Sequence, residues 1–231
     1  MNPDHPAHSY HHGDLKEALL AAAETLLETG GMPALTLRAV ARGAGVSHAA
    51  PSHHFGDLQG LLTELAARGF LRLASGFDAA MAAAADAPES RLAAMGRAYV
   101  GFARAHPGLF ALMFRSERLD SGRPSFQAAI MASRAGLRAA VGGGLAGGSS
   151  GGPSGDPSGG SAGGPPSLAA AARFAALWSL VHGYAVLLAE NRLRSLLDAL
   201  PPGEDADSLL DAMLEVVRVT PAPAAADAAA R

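Results

Sequence analysis

The sequence predicts an all-α protein. Alanine and leucine are abundant, the β-branched residues that favour strands are sparse, and only 5% of the residues are aromatic. Apolar residues recur at the three- and four-residue spacing of helices along most of the chain. With 231 residues, 49% of them hydrophobic, the chain is long enough to bury one or two helical cores.

The first predicted helix begins at Asp14. Asp14 and Glu17 have the spacing of a capping box, in which the two side chains bond to free amides at the start of a helix. Leucines and alanines follow at helical spacing as far as Leu27. The pair Gly30-Gly31 should then end the helix.

Two short helices follow, joined by a tight turn. Thr36 should cap the first of them, and Ser47 should cap the second, which ends near Phe55. Gly45 permits the backbone angles of the turn, and the valine after it can fill the seam between the helices. Two short helices at this spacing are typical of a helix-turn-helix motif, here at about residues 36–55.

Six more helical segments complete the prediction. A long fourth helix should begin at Gly56-Asp57 and run toward Ala87. The later ones are, in order, Pro88 to Ala105, about Pro107 to Arg115, about Pro124 to Val141, Leu168 to Asn191 and about Ala206 to Arg218.

Three segments lack helical periodicity. Residues 142–166 are rich in Gly, Ser and Pro and have almost no side chains to bury, which predicts a flexible linker within a helical domain. Residues 1–12 should form a flexible, His-rich arm, and residues 220–231, rich in Ala and Pro, a disordered tail.

The segment Leu168–Asn191 is apolar on nearly every side. Such a helix is either buried from two sides or crosses a membrane. Arg173 and His182 lie within this short span, so we expect burial against its own core and against a second subunit, and no membrane association.

Composition narrows the possible functions. The chain has no cysteine, so neither a disulfide framework nor a thiolate metal site is possible. Its formal net charge is −3, and residues 1–73 carry five basic and seven acidic side chains. The chain therefore lacks the basic character typical of nucleic-acid-binding domains, and any DNA binding would have to depend on a few well-placed side chains. The first ten residues lack the apolar core of a secretion signal, so we expect a cytoplasmic protein.

Motifs for catalysis are missing from the sequence. It contains no Gly-rich phosphate loop, no nucleophile elbow and no metal-ligand helix motif, so we expect neither an enzyme nor a cofactor. One alternative stays open, because His5, His8, His11 and His12 have a spacing at which imidazoles can bind a metal. The chain would then be a helical metal-binding or catalytic protein that uses its His-rich segments.

The segment "YHHGDLKEALLAAAETLLETGGMPALTLRAVARGAGVSHAAPSHHFGDLQGLL", residues 10–62, resembles the DNA-binding domain of the TetR family of transcriptional regulators. Further along, "HPGLFALMF" and "WSLVHGY" resemble the subgroup whose C-terminal domain is named for a Trp-His-Gly signature, here Trp178, His182 and Gly183. The resemblance implies a DNA-binding domain at residues 13–73.

The same resemblance implies a C-terminal ligand-binding and dimerisation domain at residues 74–219, interrupted by the linker. The expected partners are double-stranded operator DNA, a small-molecule effector and a second copy of the chain. The expected function is that of a ligand-responsive regulator, a repressor released from its operator by an apolar small molecule. The long fourth helix should transmit this release.

Residues of the DNA-binding domain are carried over one at a time. Thr36 and Ser47 match positions that meet phosphates, Arg38 and His48 match positions that reach base edges, and His54 matches a backbone contact. The complete set of predicted DNA-binding residues is Thr36, Arg38, Ser47, His48, Ala49, Ala50, Ser52, His53 and His54.

Two positions depart from the family's pattern. Relatives usually have Tyr where this chain has Ser52, and Lys where it has Leu58, and both of those side chains hold phosphates. We therefore expect either weaker DNA binding or phosphate contacts that are moved onto His53, His54 and the N-terminal arm.

Other residues are assigned to the C-terminal domain. The expected ligand contacts are Phe110, Met113, Phe114, Trp178 and His182. For Trp178 and His182, one helical turn apart, core packing with a hydrogen-bonded histidine is the favoured alternative. The expected dimer interface consists of Leu177, Val181, Tyr184, Leu188, Leu209, Leu210, Met213, Leu214 and Val217.

Overall fold

A computed structural model describes residues 12–84, 88–141 and 168–219 of the chain, and throughout these residues the regular structure is helical. The all-α prediction is therefore confirmed. The helices are α1 His12–Ala34, α2 Leu37–Gly43, α3 Ala50–Phe55, α4 Leu58–Ala83, α5 Pro88–Ala105, α6 Pro107–Met113, α7 Pro124–Val141, α8 Leu168–Ala189, α9 Arg194–Leu197 and α10 Ala206–Val219. A 3₁₀ turn, Ser116–Arg118, separates α6 from α7.

The ends of α1 differ from the prediction. The helix begins at His12, so Asp14 lies in its first turn and is not the N-cap. At Gly31 the backbone leaves the helical region (φ 65°, ψ −171°), where the glycine pair was expected to end the helix. One more helical turn follows, as far as Ala34.

Other elements agree with their predicted bounds to within a few residues. α4 ends at Ala83, α6 at Met113 and α8 at Ala189, each somewhat earlier than expected. α9 was not predicted, because a single turn of four residues leaves no periodic pattern in the sequence. The predicted linker at 142–166, the tail at 220–231 and residues 1–11 of the arm lie outside the described residues.

The described residues form two compact units. The N-terminal unit comprises those among residues 1–72 and 106–132, and the C-terminal unit those among residues 73–105 and 133–231. Residues 106–132, expected in the C-terminal domain, thus group with the first three helices. α4 and α7 each contribute residues to both units.

Apolar side chains from five helices, α1 to α4 and α6, build the core of the N-terminal unit. α1 packs against α2 and α6, and α2 packs against α3. The fully or almost fully buried side chains include Leu19, Ala23, Leu27, Val40, Ala41, Phe55, Leu61, Leu65, Leu109 and Leu112. α6 is therefore a structural part of this unit.

Three helices pack together in the C-terminal unit. α5 contacts α8 and α10, and α10 contacts α8. Met95, Tyr99 and Val100 of α5 are buried, as are Leu210 and Leu214 of α10.

The burial of α8 is one-sided within the chain. Leu177, Tyr184 and Ala185 are buried, whereas Trp178 and Leu187 each keep 43% of their surface exposed. The unit's own core covers one stripe of this apolar helix and leaves large apolar side chains outside it. No helix in the described segments has the length and apolarity to cross a membrane.

Candidate nucleic-acid interface

The predicted helix-turn-helix is present as α2, a turn and α3. The hydroxyl oxygen of Thr36 accepts the N–H of Ala39 at 3.1 Å, which confirms Thr36 as the cap of α2. The N–H of Val46 donates to the carbonyl of Ala41 at 3.0 Å and closes the turn. Gly45, next to it, has a φ of 69°, a left-handed conformation that a residue with a Cβ adopts only at a cost.

The start of α3 differs from the prediction. Its N-cap is Ala49, and no side chain caps it, so the assignment of Ser47 as the cap was wrong. The carbonyl of Ser47 instead accepts the N–H of Ala50 at 3.1 Å, in a turn that precedes the helix. Pro51 explains the difference, because in a helix capped by Ser47 the nitrogen of residue 51 would have to donate to the carbonyl of Ser47, and proline has no N–H.

One face of α3 packs inward and the other is open. Pro51 and Phe55 are buried. Ser52 and His53 are exposed and His54 is half-buried, and the rings of the two histidines lie 5.4 Å apart between centroids. The open face of α3 is therefore polar and rich in imidazole.

The structure brings the nine predicted DNA-binding residues onto α2, the turn and α3. The side chains of Thr36, Arg38, Ser47, His48, Ala49, Ser52 and His53 are exposed, and Ala50 and His54 are half-buried. Not one of the nine is in the core, so all of them are accessible to a macromolecule that approaches this surface. We call these nine residues the recognition surface.

Sequence reasoning missed Arg42 as a candidate. It lies one helical turn after Arg38 on α2, and both side chains are exposed. The i, i+4 spacing of the two arginines was the available signal, since such residues share a helix face. Arg42 thus adds a second permanent positive charge next to that of Arg38, at the edge of the recognition surface.

The five predicted ligand contacts fall into two groups, one in each unit. In the N-terminal unit, Phe110 and Met113 are buried, and the ring of Phe114 lies 5.1 Å from that of Phe110 and 5.7 Å from that of Phe70. In the C-terminal unit, Trp178 and His182 pack against each other at 5.6 Å between ring centroids.

Tyr99 joins the second group, although its sequence position gave no reason to single it out. Its hydroxyl lies 2.8 Å from Nδ1 of His182, and it also hydrogen-bonds to Trp178. Burial raises the pKa of Tyr99, against the smaller opposing effect of Trp178, and burial lowers the pKa of His182. A protonated phenol and a neutral imidazole are the forms that this geometry favours.

The predicted dimer residues differ in burial. Leu177, Tyr184, Leu210 and Leu214 are buried within the C-terminal unit itself, and Val181, Leu188, Leu209 and Met213 are half-buried. The side chain of Val217 lies outside the described part of the structure. Among the side chains of α8 and α10 that the structure describes, the large apolar ones left exposed are Leu168, Trp178, Leu187 and Val216.

No metal site is found among the described residues, where no three His, Asp or Glu side chains come close enough to share an ion. His5, His8 and His11 of the predicted arm lie outside those residues, as does the side chain of His12.

Comparison with known families gives two matches. Residues 19–65 match the bacterial regulatory proteins of the tetR family, and residues 92–217 match the tetracyclin repressor-like C-terminal domain. The second match covers more than half of the chain and includes Trp178, His182 and Gly183, whose assignment to the Trp-His-Gly subgroup stays a prediction. No curated protein matches the sequence.

Solved structures have the same fold. A protein of unknown function from Rhodococcus sp. RHA1 is 34% identical over 91% of this chain and 96% of that one, with a TM-score of 0.66. PfmR, a TetR family regulator from Thermus thermophilus, is 19% identical over 86% and 96% of the two chains, with a TM-score of 0.52. A TetR regulator from Streptomyces coelicolor is 18% identical over 88% and 95%, with a TM-score of 0.56.

Proposed function

Because this chain belongs to the TetR family of transcriptional regulators, we propose that it is a ligand-responsive repressor, which binds operator DNA as a homodimer and is released by an apolar small molecule. Members of this family regulate transcription and are not enzymes, as the sequence led us to expect. A bacterial regulator of this kind acts in the cytoplasm, where the DNA is.

The observation that carries the proposal is the recognition surface. A helix-turn-helix places its second helix in the major groove, where the first residues of that helix reach base edges. Here α3 follows a short turn that exposes His48 and Ala49, and its outward face carries Ser52 and His53. His48 can donate to N7 or O6 of a guanine, and the methyl groups of Ala49 and Ala50 can contact thymine methyls.

Few permanently charged side chains are available near the recognition surface to contact DNA phosphates. Arg38 and Arg42 of α2 are exposed and always charged. The hydroxyl of Thr36 accepts a backbone hydrogen bond and still has its own proton to donate to a phosphate oxygen. His53 and His54 can donate to phosphates in place of the Tyr and Lys that relatives have at Ser52 and Leu58.

A homodimer is supported by apolar side chains that the C-terminal unit leaves uncovered. Trp178 and Leu187 on α8 are partly exposed, and Val216 on α10 is 72% exposed. Pairing α8 and α10 with the same helices of a second copy would bury this surface, as in interfaces of the obligate type. The two copies of α3 would then read half-sites about one DNA turn, roughly 34–36 Å, apart.

The effector is proposed to be mostly apolar, because the candidate contacts are aromatic and methionine side chains with few polar atoms. The polar atoms among these side chains are concentrated in Trp178, Tyr99 and His182, which can orient one polar group of such a molecule. To release a well-occupied operator, the effector must favour the non-binding conformation by about 10⁴-fold. α4 has residues in both units and is the proposed route of coupling.

A gel-shift experiment with DNA from the region upstream of the protein's own gene tests the proposal. We expect a shifted complex that persists in the presence of competitor DNA of scrambled sequence. The apolar metabolite that acts as effector should dissociate this complex. Arg38→Ala should weaken the complex, whereas Arg118→Ala, an exposed arginine outside the recognition surface, should not. A complex that forms equally with scrambled DNA would refute operator binding, and tight effector binding without any change in operator affinity would refute the coupling.

A further inference from the structure

The loop before α7 contacts the C-terminal end of α3. One guanidinium nitrogen of Arg123, Nη2, donates to the carbonyl of Phe55, the last residue of α3, at 3.4 Å. The other terminal nitrogen, Nη1, donates to the carbonyl of Gly60 at 3.3 Å and to a carboxylate oxygen of Glu64 at 3.2 Å. A single side chain therefore bridges the end of α3 and the first turns of α4.

The junction between α3 and α4 is unusually close at this point. A Cβ placed on Gly60 would lie 2.0 Å from the carbonyl oxygen of Phe55, so only glycine fits there. The carbonyl of Phe55 thus points at the start of α4, and it has Arg123 as a donor. Asp57 fixes the same turn, since its carboxylate accepts the N–H of Gly60 at 2.8 Å.

The carboxylate that pairs with Arg123 is itself held by other groups. Glu64 accepts hydrogen bonds from Lys16 of α1 at 2.8 Å and from the hydroxyl of Ser125 at 2.7 Å. Burial opposes ionisation of Glu64, but these bonds and the one from Arg123 outweigh it and lower its pKa. Glu64 is therefore charged at neutral pH and keeps the guanidinium in place.

The loop that carries Arg123 has a second anchor. Thr63 of α4 is completely buried, and its hydroxyl oxygen accepts the N–H of Asp120 at 2.9 Å while its proton goes to the carbonyl of Gln59 at 2.7 Å. A buried polar group that makes both of its hydrogen bonds is costly to displace. The position of the loop on α4 is thus well defined.

We propose that Arg123 is a positioning residue for operator binding, which fixes the direction of α3 by clamping its last carbonyl to α4. The side chain of Arg123 is 27% exposed and its guanidinium donates to three acceptors of the protein itself, so we assign it no contact with DNA. This inference rests on the proposed function and adds to it a residue far from the helix-turn-helix in sequence.

Two variants separate positioning from the loss of a charge. Arg123→Ala removes the clamp, and Arg118→Ala removes an exposed arginine from the same segment of chain. Operator affinity should fall about tenfold in Arg123→Ala, the equivalent of one or two net hydrogen bonds, and stay unchanged in Arg118→Ala. The slope of log affinity against log salt concentration should stay unchanged in both, since a lost phosphate contact would reduce it by about 0.9.

Amide hydrogen exchange supplies a readout that needs no DNA. The N–H of Gly56 donates to the carbonyl of Ser52 at 2.9 Å and reports the end of α3. Its exchange should be about tenfold faster in Arg123→Ala than in the wild type, because losing the clamp lets the last turn open more often. Arg123→Lys keeps the charge but not the planar, forked guanidinium, so its exchange rate at Gly56 should lie between those of the wild type and Arg123→Ala. This variant replaces Arg123→Ala in the experiment if Arg123→Ala does not fold.

Each outcome has one meaning. If the wild type binds its operator and the Arg123 variants bind equally well, the positioning role is wrong, and it is also wrong if binding weakens while the exchange at Gly56 stays unchanged. A reduced salt slope in Arg123→Ala would also overturn it, by making Arg123 a phosphate contact. If the wild type binds no operator, the proposed function fails, and the exchange rate at Gly56 alone decides whether Arg123 holds α3.

Discussion

The phenol oxygen of Tyr99 and Nδ1 of His182 lie 2.8 Å apart within the C-terminal unit. Tyr99 also hydrogen-bonds to Trp178, whose indole can only donate. The phenol proton is then free to point at an unprotonated Nδ1, which agrees with the neutral form that burial favours for His182. α5 and α8 are thereby joined by a polar contact as well as by apolar packing.

This contact predicts that low pH destabilises the fold. Burial lowers the pKa of His182 below its usual value of 6.5, so the unfolded chain takes up this proton first as the pH falls. The stabilising contribution is therefore complete above about pH 6.5 and is lost as the pH falls through the lower pKa of the folded state. The free energy of unfolding, from urea titrations at pH 7, 6 and 5, should decrease less in His182→Gln than in the wild type. His53→Gln, at an exposed position, is the control. If it reduced the decrease in the free energy of unfolding as much as His182→Gln does, this assignment would be contradicted.

A second prediction concerns Glu28 of α1. Its two carboxylate oxygens accept the N–H groups of Gly108 and Leu109, each at 2.9 Å, and so cap the start of α6. Glu28→Ala should lower the free energy of unfolding by about 2 kcal/mol, because it leaves two amides without a charged acceptor. Glu17→Ala, an exposed glutamate on the same helix, should cost under about 1 kcal/mol. Equal losses in urea denaturation would show that α6 does not depend on this cap.

Much of this architecture could be predicted because its causes are local. Apolar spacing located the longer helices, and the Thr36 cap and Gly45 turn lie within a few residues of the helices they define. The contacts that organise the two units join residues far apart, as for Arg123 with Phe55, 68 positions away, and Tyr99 with His182, 83 positions away. The spacing of apolar residues along the sequence gives no information about contacts between residues so far apart. The error at Ser47 has a local cause, since Pro51 changes what the start of α3 requires.

A third prediction concerns the dimer. Val216 is 72% exposed on α10, so an aspartate there should leave the fold of one chain intact while placing a charge in the proposed interface. Light scattering should report a monomer for Val216→Asp and a dimer for Met131→Asp, a control at a position on α7 that is 64% exposed. A substitution at Leu210 is less informative, since that side chain is fully buried and a charge there would unfold the chain. A Val216→Asp protein that stays dimeric would remove α10 from the interface.

A fourth prediction concerns pH and DNA. Histidine is the side chain that changes its charge between about pH 5 and 8, and a neighbouring phosphate favours the charged form. Operator affinity at constant salt should therefore rise as the pH falls from 8 to 6, and His54→Ala should reduce this rise on every DNA sequence tested. A flat profile in the wild type would mean that His48, His53 and His54 bind DNA in the neutral form or do not contact it.

The recognition surface is tested most directly by fluorescence anisotropy with two labelled duplexes, the upstream DNA that shifts in gels and a scrambled sequence of the same composition. We predict that the wild type binds the first at least 10³-fold more tightly, the low end of the range for specific DNA-binding proteins. His48→Ala should lose roughly tenfold or more of that preference, since one good base contact contributes about 1–3 kcal/mol of discrimination. Equal affinity of the wild type for both duplexes would contradict the claim that α2 and α3 read an operator. The same claim would be contradicted if the His48→Ala variant and the Arg38→Ala variant both kept the full preference for the upstream DNA.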